Sequence, residues 1–185
     1  MIIGLTGPRC SGKTEVARII KNLYNFHSLS FGDEVRLERD ARGLSLDYDL
    51  HRLGVDLRNE FGLGYWGRRV AGRITDKIQD RVYVVEGIRT GGDVEVFKKF
   101  PDFTLVGVTA PLEVRYSRDK RNRPDDSESY EEFVAKCRRD ESSNFEGLES
   151  KETYGMIDYE IVNDSSMREL KIKVHSSVVF AKNRC

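Results

Sequence analysis

No apolar run in the 185 residues approaches the length needed to cross a bilayer, so the sequence offers no membrane span. Net charge is also missing. The 31 Lys and Arg are matched by 31 Asp and Glu, which removes any global case for nucleic acid or a membrane surface as partner. Cysteine is sparse: Cys10, Cys137 and Cys185 are widely spaced, form no C-x-x-C pair, and have no metal-site spacing with His27, His51 or His175. They read as reduced thiols of a cytosol-like compartment, and the expected localisation is cytoplasmic. Met1 leads straight into an apolar strand and the loop that follows it, so no signal peptide is expected. No repeat, linker or low-complexity tract interrupts the rest. What remains is a chain of single-domain length, 38% hydrophobic and 34% charged, long enough for a substantial core.

The informative stretch is Gly7-Pro8-Arg9-Cys10-Ser11-Gly12-Lys13-Thr14, which fits G-x-x-x-x-G-K-[ST]. Ile2 to Thr6 before it reads as a buried strand. Glu15 to Tyr24 after it carries Val16, Ile19, Ile20 and Leu23 at i, i+3, i+4 and i+7, the face of a helix. A strand–loop–helix context is what gives this motif its phosphate-binding mechanism. The loop's N–H groups turn inward onto phosphate oxygens, and the helix presents its positive end to the same anion. Lys13 can reach the β- and γ-phosphates of ATP, and the Thr14 hydroxyl can ligate Mg²⁺.

Asn25 to Phe31 reads as a second strand, broken by Gly32, with Asp33 capping a helix to Gly43. Asp33 and Arg36 then face the cleft at the strand ends; the alternative is a solvated charge pair. Asp47 to Phe61 reads as helical, with Leu50, Leu53, Leu57 and Phe61 on one face and Arg58 and Glu60 off it. A further helix is expected from Tyr65 to Gln79, with Val70, Ile74 and Ile78 inward. These consecutive helices form an insertion in the β/α alternation, placed to cover a second substrate. Trp66, Arg68 and Arg69 are candidates to touch it, though core packing and solvation are the plainer readings.

Arg81 to Val85 is the clearest later strand, and it ends in Glu86-Gly87-Ile88-Arg89. A carboxylate there has the form that places an acid near Mg²⁺, acting through a water because Glu is longer than Asp. Asp93 to Phe100 reads as a short helix, Phe103 to Ala110 as a fourth strand, and Pro111 as the opening of the next helix. Arg115, Arg118, Arg121 and Arg123 follow, before Pro124-Asp125-Asp126. They are either a solvated face or a lid that neutralises a transferring phosphoryl group. Behind a phosphate-binding loop the lid is the stronger reading. Ser129 to Glu132 matches a capping box opening a helix to about Ser143, with Arg138 and Arg139 as further phosphate candidates. Asn144 to Met156 reads as loop, Tyr159 to Val162 as a fifth strand, and Ser166 with Glu169 as the cap of a last helix striped by Met167, Leu170, Val174 and Val178. The class is α/β: about five mostly parallel strands with helices on both faces, in one domain over residues 1–185.

These separated motifs resemble the P-loop nucleotide kinases of the adenylate kinase and dephospho-CoA kinase group, most closely the archaeal adenylate-kinase-related nucleotide kinases. The resemblance rests on Gly7–Thr14, Phe31–Arg36, Leu57–Gly62, Val84–Arg89, Ala110–Tyr116, Ser129–Phe133 and Asp158–Asn163, in the family's order. It implies a three-layer α/β/α P-loop NTPase fold with a five-stranded parallel sheet, an acceptor-binding insertion at about 33–80 and a short, metal-free lid at about 115–128. It implies ATP and Mg²⁺ as cofactors, with Gly7, Arg9, Cys10, Ser11, Gly12, Lys13 and Thr14 around the phosphates and Asn163 and Asp164 against the adenine. Thr14 and Asp33 are the implied metal residues. Asp33, Arg36, Arg58, Glu86, Gly87 and Arg89 are the implied acceptor residues, and Lys13, Asp33, Arg118 and Arg123 the implied catalytic set. The departures are Pro8, Arg9 and Cys10, where the family carries small residues, and Glu86, where Asp is commoner. Arg9 either adds charge at the phosphates or points away. The expected reaction is γ-phosphoryl transfer to a small nucleotide, first a (deoxy)nucleoside monophosphate and second dephospho-CoA. A nucleotide-binding regulatory module is the alternative without turnover. No nucleic acid or membrane partner is expected, and monomer and homodimer both stay open.

Overall fold

The structure is a computed structural model that describes residues 1–75, 82–125, 127–140 and 151–184. Its strands are β1 (Ile2–Thr6), β2 (His27–Ser30), β3 (Tyr83–Glu86), β4 (Phe103–Thr109) and β5 (Tyr159–Val162). They form one parallel sheet in the order β2-β3-β1-β4-β5. Side chains alternate across it, as the strand period of two requires. Ile2, Tyr83, Val85 and Leu105 enter one core, and Ile3, Leu5, Val84, Val106 and Val108 enter the other. Both faces are covered, which is why β1 and β4 are buried almost throughout.

Helices α2 (Phe31–Ala41), α3 (Leu50–Phe61), α4 (Tyr65–Thr75) and α5 (Gly91–Phe97) cover the first face with Phe31, Leu53, Leu57, Trp66, Val94 and Phe97. Trp66 is wholly buried, and its indole N–H donates to the Gly54 carbonyl at 3.0 Å, so its one polar atom is satisfied. Helices α1 (Lys13–Tyr24) and α9 (Met167–Lys182) cover the second face with Val16, Ile19, Ile20, Leu170, Val174 and Val178. Helices α6 (Leu112–Asn122) and α7 (Tyr130–Asp140) pack through Tyr116, whose ring lies 5.2 Å from Tyr130 and 5.4 Å from Phe133. Both expected capping boxes are present, Ser129 with Glu132 and Ser166 with Glu169.

Several boundaries differ from the sequence reading. Gly32 does not end β2. The strand stops at Ser30 and α2 starts at Phe31, because burial of Phe31 in the core outweighs the low helix propensity of one glycine. Asp33 therefore sits inside the first turn rather than at the cap. Helix α3 starts at Leu50, capped by Asp49, whose carboxylate accepts from the His51 and Arg52 N–H groups. Helix α5 begins at Gly91 because the Thr90 hydroxyl caps it. A short helix α8 (Lys151–Tyr154) lies within the expected loop. Leu23 and Phe61, expected on packed stripes, are exposed in the terminal turns of their helices, where the periodic stripe outruns the packed surface. Expectations on Ile78, Gln79, Arg81, Asp126, Ser143 and Cys185 lie outside the described residues, as does the side chain of Arg139.

The register fixes where the site forms. Ser30, Glu86, Leu5 and Val106 are aligned across β2, β3, β1 and β4. The chain thus delivers the loop after β1 and the carboxylate of Glu86 to the same carboxyl edge, in the middle of the sheet. Among the described residues, no helix is long and apolar enough to cross a membrane.

Candidate active site at the phosphate-binding loop

The loop from Gly7 to Gly12 owes its shape to backbone positions that few residues tolerate. Gly7 has φ 134° and Gly12 φ 101°, both in the region that side chains with a Cβ avoid. A Cβ on Gly7 would collide with the Val108 carbonyl, and one on Gly12 with the Asn163 amide. Lys13 bends back so that its ammonium donates to the carbonyls of Gly7 and Pro8, the latter at 2.8 Å. The far side of the loop is braced from two elements. The Asn163 amide donates to the Ser11 carbonyl at 2.8 Å. Arg118 donates to the same carbonyl at 3.1 Å and to the Asn163 carbonyl at 3.0 Å. Burial, then repulsion from Arg121, lowers the pKa of Arg118, so an anion nearby would be a favourable partner for it.

Two cavities meet at Lys13 and Thr14. One, of about 630 Å³, runs past Cys10, Arg118, Arg121 and Asn163 toward Met167 and Leu170 on α9. Met167 is exposed because it lines this cavity instead of extending the apolar stripe of its helix. The other, of about 350 Å³, is walled by Arg36, Arg58, Arg89, His51 and Glu86. Between them the Thr14 hydroxyl donates to the Glu86 carboxylate at 2.9 Å.

Arg58 was expected off the apolar stripe of α3, and it is; yet it is only 6% exposed. Helices α3, α4 and α5 close over it. Its guanidinium reaches Asp93 at 3.4 Å and the Gly54 carbonyl at 3.5 Å, both long, and its buried Nε has no partner among the described residues. Burial lowers its pKa, Asp93 opposes this, and nearby Arg89 adds to it. Asp93 is itself fully buried, accepts from the Gly67 N–H at 2.9 Å, and has its pKa raised by burial. The second cavity therefore holds a buried cation whose hydrogen-bonding capacity is incompletely used.

Other candidates lie elsewhere. Asp33 is exposed, pairs with Arg36 at 2.6 Å, and lines neither cavity; the carboxylate beside Thr14 is Glu86. Asp164 faces Lys173 at 3.0 Å, while Asn163 meets the loop. Arg115 is buried, with a guanidinium nitrogen 3.6 Å from the Cys137 sulfur, and takes no part in either cavity. Arg68 donates to the Phe61 carbonyl, Arg69 pairs with Glu38, and Arg138 is exposed. Arg9 points away from the cavities to Asp119 at 2.8 Å, and the Cys10 thiol donates to the same oxygen at 3.2 Å. Asp119 also holds Arg123. Asp119, Asp93 and Glu128 were not singled out from the sequence. The i, i+4 spacing of Asp119 and Arg123 was a readable signal; the link from Asp119 to Arg9, 110 residues away, had no local one.

The residues fit the groups a phosphate-binding loop implies. A magnesium ion would find the Thr14 hydroxyl and Glu86 carboxylate together at the junction of the cavities. A nucleotide would find the loop N–H groups, Lys13 and Arg118 along the larger cavity.

Residues 6–133 match the model of a family described as an AAA domain. A UPF0200/UPF0201 protein of Archaeoglobus fulgidus is 36% identical over 98% of this chain; the chain spans 56% of that protein. A UPF0200 protein of Pyrococcus abyssi is 35% identical over 92% of this chain and 91% of its own. Among solved structures, TT1252 from Thermus thermophilus superposes with a TM-score of 0.67 at 19% identity, covering 97% of this chain and 96% of its own. A shikimate kinase from Acinetobacter baumannii in complex with shikimate gives 0.59 at 18%, covering 98% and 94%. At these identities the likeness bears on the fold alone, and that fold is the α/β/α arrangement of P-loop kinases.

Proposed function

The chain belongs to the AAA-domain family and to the UPF0200 proteins, and from that premise we propose that it is an ATP- and Mg²⁺-dependent kinase acting on a small anionic nucleotide. The observation that carries this is the pair of cavities sharing Lys13 and Thr14 as a common wall. Phosphoryl transfer needs donor and acceptor on opposite sides of one phosphoryl group, with positive charge around it. On this reading residues 1–185 act as one kinase domain, with an acceptor insertion near 33–80 and a lid near 115–128.

ATP occupies the larger cavity, its phosphates against the N–H groups of the loop and Lys13, its base toward Asn163, Met167 and Leu170. Thr14, with the Glu86 carboxylate beside it, would hold Mg²⁺, which would supply charge neutralisation on the phosphates. Arg118 and Arg121 flank the donor phosphates. Arg36, Arg58 and Arg89 hold the acceptor, and the long contacts of Arg58 leave it capacity to pair with an incoming anion. The protein then works by positioning and electrostatics.

A (deoxy)nucleoside monophosphate is the preferred acceptor, and dephospho-CoA is second. A sugar hydroxyl needs a base to take its proton, whereas an ionised phosphate does not. Glu86 is the one carboxylate among the described residues of the acceptor cavity, and it already accepts from Thr14. Asp33, the acid considered for that task, is turned outward to Arg36. A nucleotide-binding module without turnover is the second reading, left open by the departures at Pro8, Arg9, Cys10 and Glu86.

The test is ATP consumption with Mg²⁺ across nucleoside and deoxynucleoside monophosphates and dephospho-CoA. One acceptor should stimulate turnover. Lys13→Ala should lower it by about a thousandfold while the far-ultraviolet circular dichroism is unchanged. Equal turnover in Lys13→Ala would sink the kinase reading, and nucleotide binding with no stimulation by any acceptor would leave the regulatory module.

A further inference from the structure

Asp119 gathers partners from the phosphate-binding loop and from the end of its own helix. It is only 3% exposed. One carboxylate oxygen accepts from Arg9 at 2.8 Å and from the Cys10 thiol at 3.2 Å, both in the phosphate-binding loop. The other oxygen holds Arg123, at the end of α6. Arg123 continues to Glu128 at 3.3 Å, and the buried Glu128 also pairs with Lys136 on α7. The Arg9 guanidinium lies 5.4 Å from the centre of the Phe133 ring, also on α7. Asp119 thus ties the loop to the end of α6, and through Arg123 and Glu128 to α7, and it has two arginines where its own charge needs one.

That excess has a consequence. Removing the only partner of a buried carboxylate is costly, because an uncompensated charge stays in a poorly solvated place. With two partners, one can leave while the other still neutralises the group. Of the two, Arg9 is fixed by the loop backbone and by Phe133. Arg123 is the one on the segment that carries Arg118 and Arg121 to the donor cavity, and in this structure it does not line that cavity.

We propose that Arg9 and Asp119 form a counter-ion relay that lets Arg123 transfer from Asp119 to the nucleotide phosphates. Asp119 stores Arg123, and Arg9 keeps the carboxylate compensated when Arg123 departs. Both are positioning residues acting through Arg123. This rests on the kinase reading for the destination of Arg123, but the exchange itself can be read without turnover.

The experiment follows the Arg123 side-chain Nε–H resonance, assigned by its loss in R123K, in the full-length protein with and without saturating Mg²⁺ and a non-hydrolysable ATP analogue. In the wild type the analogue should shift this resonance. In R9Q the shift should be lost, because Arg123 cannot leave a carboxylate whose remaining partner, the Cys10 thiol, carries no positive charge. Turnover should fall by about tenfold, a modest value since Arg9 is partly solvated. The decisive variant is R9Q/D119N, in which the Asp119 charge that holds Arg123 is gone, while Glu128 keeps its contact to Arg123 and is also compensated by Lys136. The shift should return and turnover should rise above that of R9Q. A purely structural role for Arg9 gives no such rescue.

A wild-type resonance indifferent to the analogue overturns the relay, as does a normal shift in R9Q or a double variant no better than R9Q. If circular dichroism shows that R9Q does not fold, D119N alone decides. Its Arg123 resonance without nucleotide must lie toward the nucleotide-bound wild-type position, and a value unchanged from the wild type overturns the proposal. Should the resonances follow the expected pattern while no acceptor supports turnover, the relay stands and the kinase reading falls.

Discussion

Asp119 and Asp93 are both buried carboxylates facing arginine, yet their protonation equilibria move in opposite directions. For Asp119 burial pushes the pKa up, but hydrogen bonds from Cys10 and Arg123 and the charge of Arg9 outweigh it, and the net shift is down. For Asp93 burial dominates over the long contact to Arg58, and the net shift is up. A depressed carboxyl stabilises the fold above its ordinary value of 3.8 and loses that contribution as pH falls through the folded value. A raised one contributes fully below 3.8 and loses it as pH rises through the folded value. Urea midpoints measured at a series of pH values from about 2 upward should separate them. Relative to the wild type, Asp119→Asn should flatten the acid loss of stability, and Asp93→Asn should remove a decline at higher pH. Matching slopes for the two variants would contradict this account. Neither the Asp119–Arg9 nor the Asp93–Arg58 pairing was legible in the sequence. Asp119 and Arg9 are far apart in the chain, and Arg58 lies off the stripe that periodicity marks as buried, so its burial depends on α4 and α5 closing over α3.

At the scale of elements, the phosphate-binding loop was legible because its signals are local: a strand, two glycines at fixed spacing, and a helix. Its rigidity makes Gly12→Ala a sharp probe. The substitution combines φ 101° with a collision at Asn163, and it should reduce nucleotide affinity by at least about tenfold in calorimetry. Unaltered affinity would show that the brace from Asn163 is dispensable. The cap of α5 is a second probe. The Thr90 hydroxyl accepts from the Asp93 N–H at 3.1 Å and donates to the Leu63 carbonyl at 2.8 Å. Thr90→Ala should cost about 1–2 kcal/mol in denaturant unfolding, the range for loss of a helix cap. It should also weaken acceptor binding, since Arg89 directly precedes the cap. Helix α5 was placed two residues late in the sequence because Gly91-Gly92 reads as a break; the cap at Thr90 overrides that weak propensity. The start of α2 was misplaced for the same kind of reason.

For the molecule as a whole, the sheet was legible because each buried strand is a short apolar run and the alternation with helices implies parallel pairing. The order of the strands came only with the structure. Nucleotide binding should be visible in global stability. A ligand at a hundred times its Kd adds about 2.7 kcal/mol. At about 2–4 °C per kcal/mol for a chain of this length, MgATP should raise the melting temperature by about 5–10 °C. No shift in the wild type would speak against nucleotide binding, and Lys13→Ala should show a smaller shift.

Lys13 and Thr14 belong to the walls of both cavities, and a shared wall is also a thermodynamic link. Two anionic ligands that draw on the same ammonium cannot bind independently: each changes the field the other meets. Linkage then makes the effect mutual. The factor by which donor alters the dissociation constant of acceptor must equal the factor by which acceptor alters that of donor. Whether that factor lies above or below one reports whether the common wall makes the two ligands rivals for charge or joins them as partners.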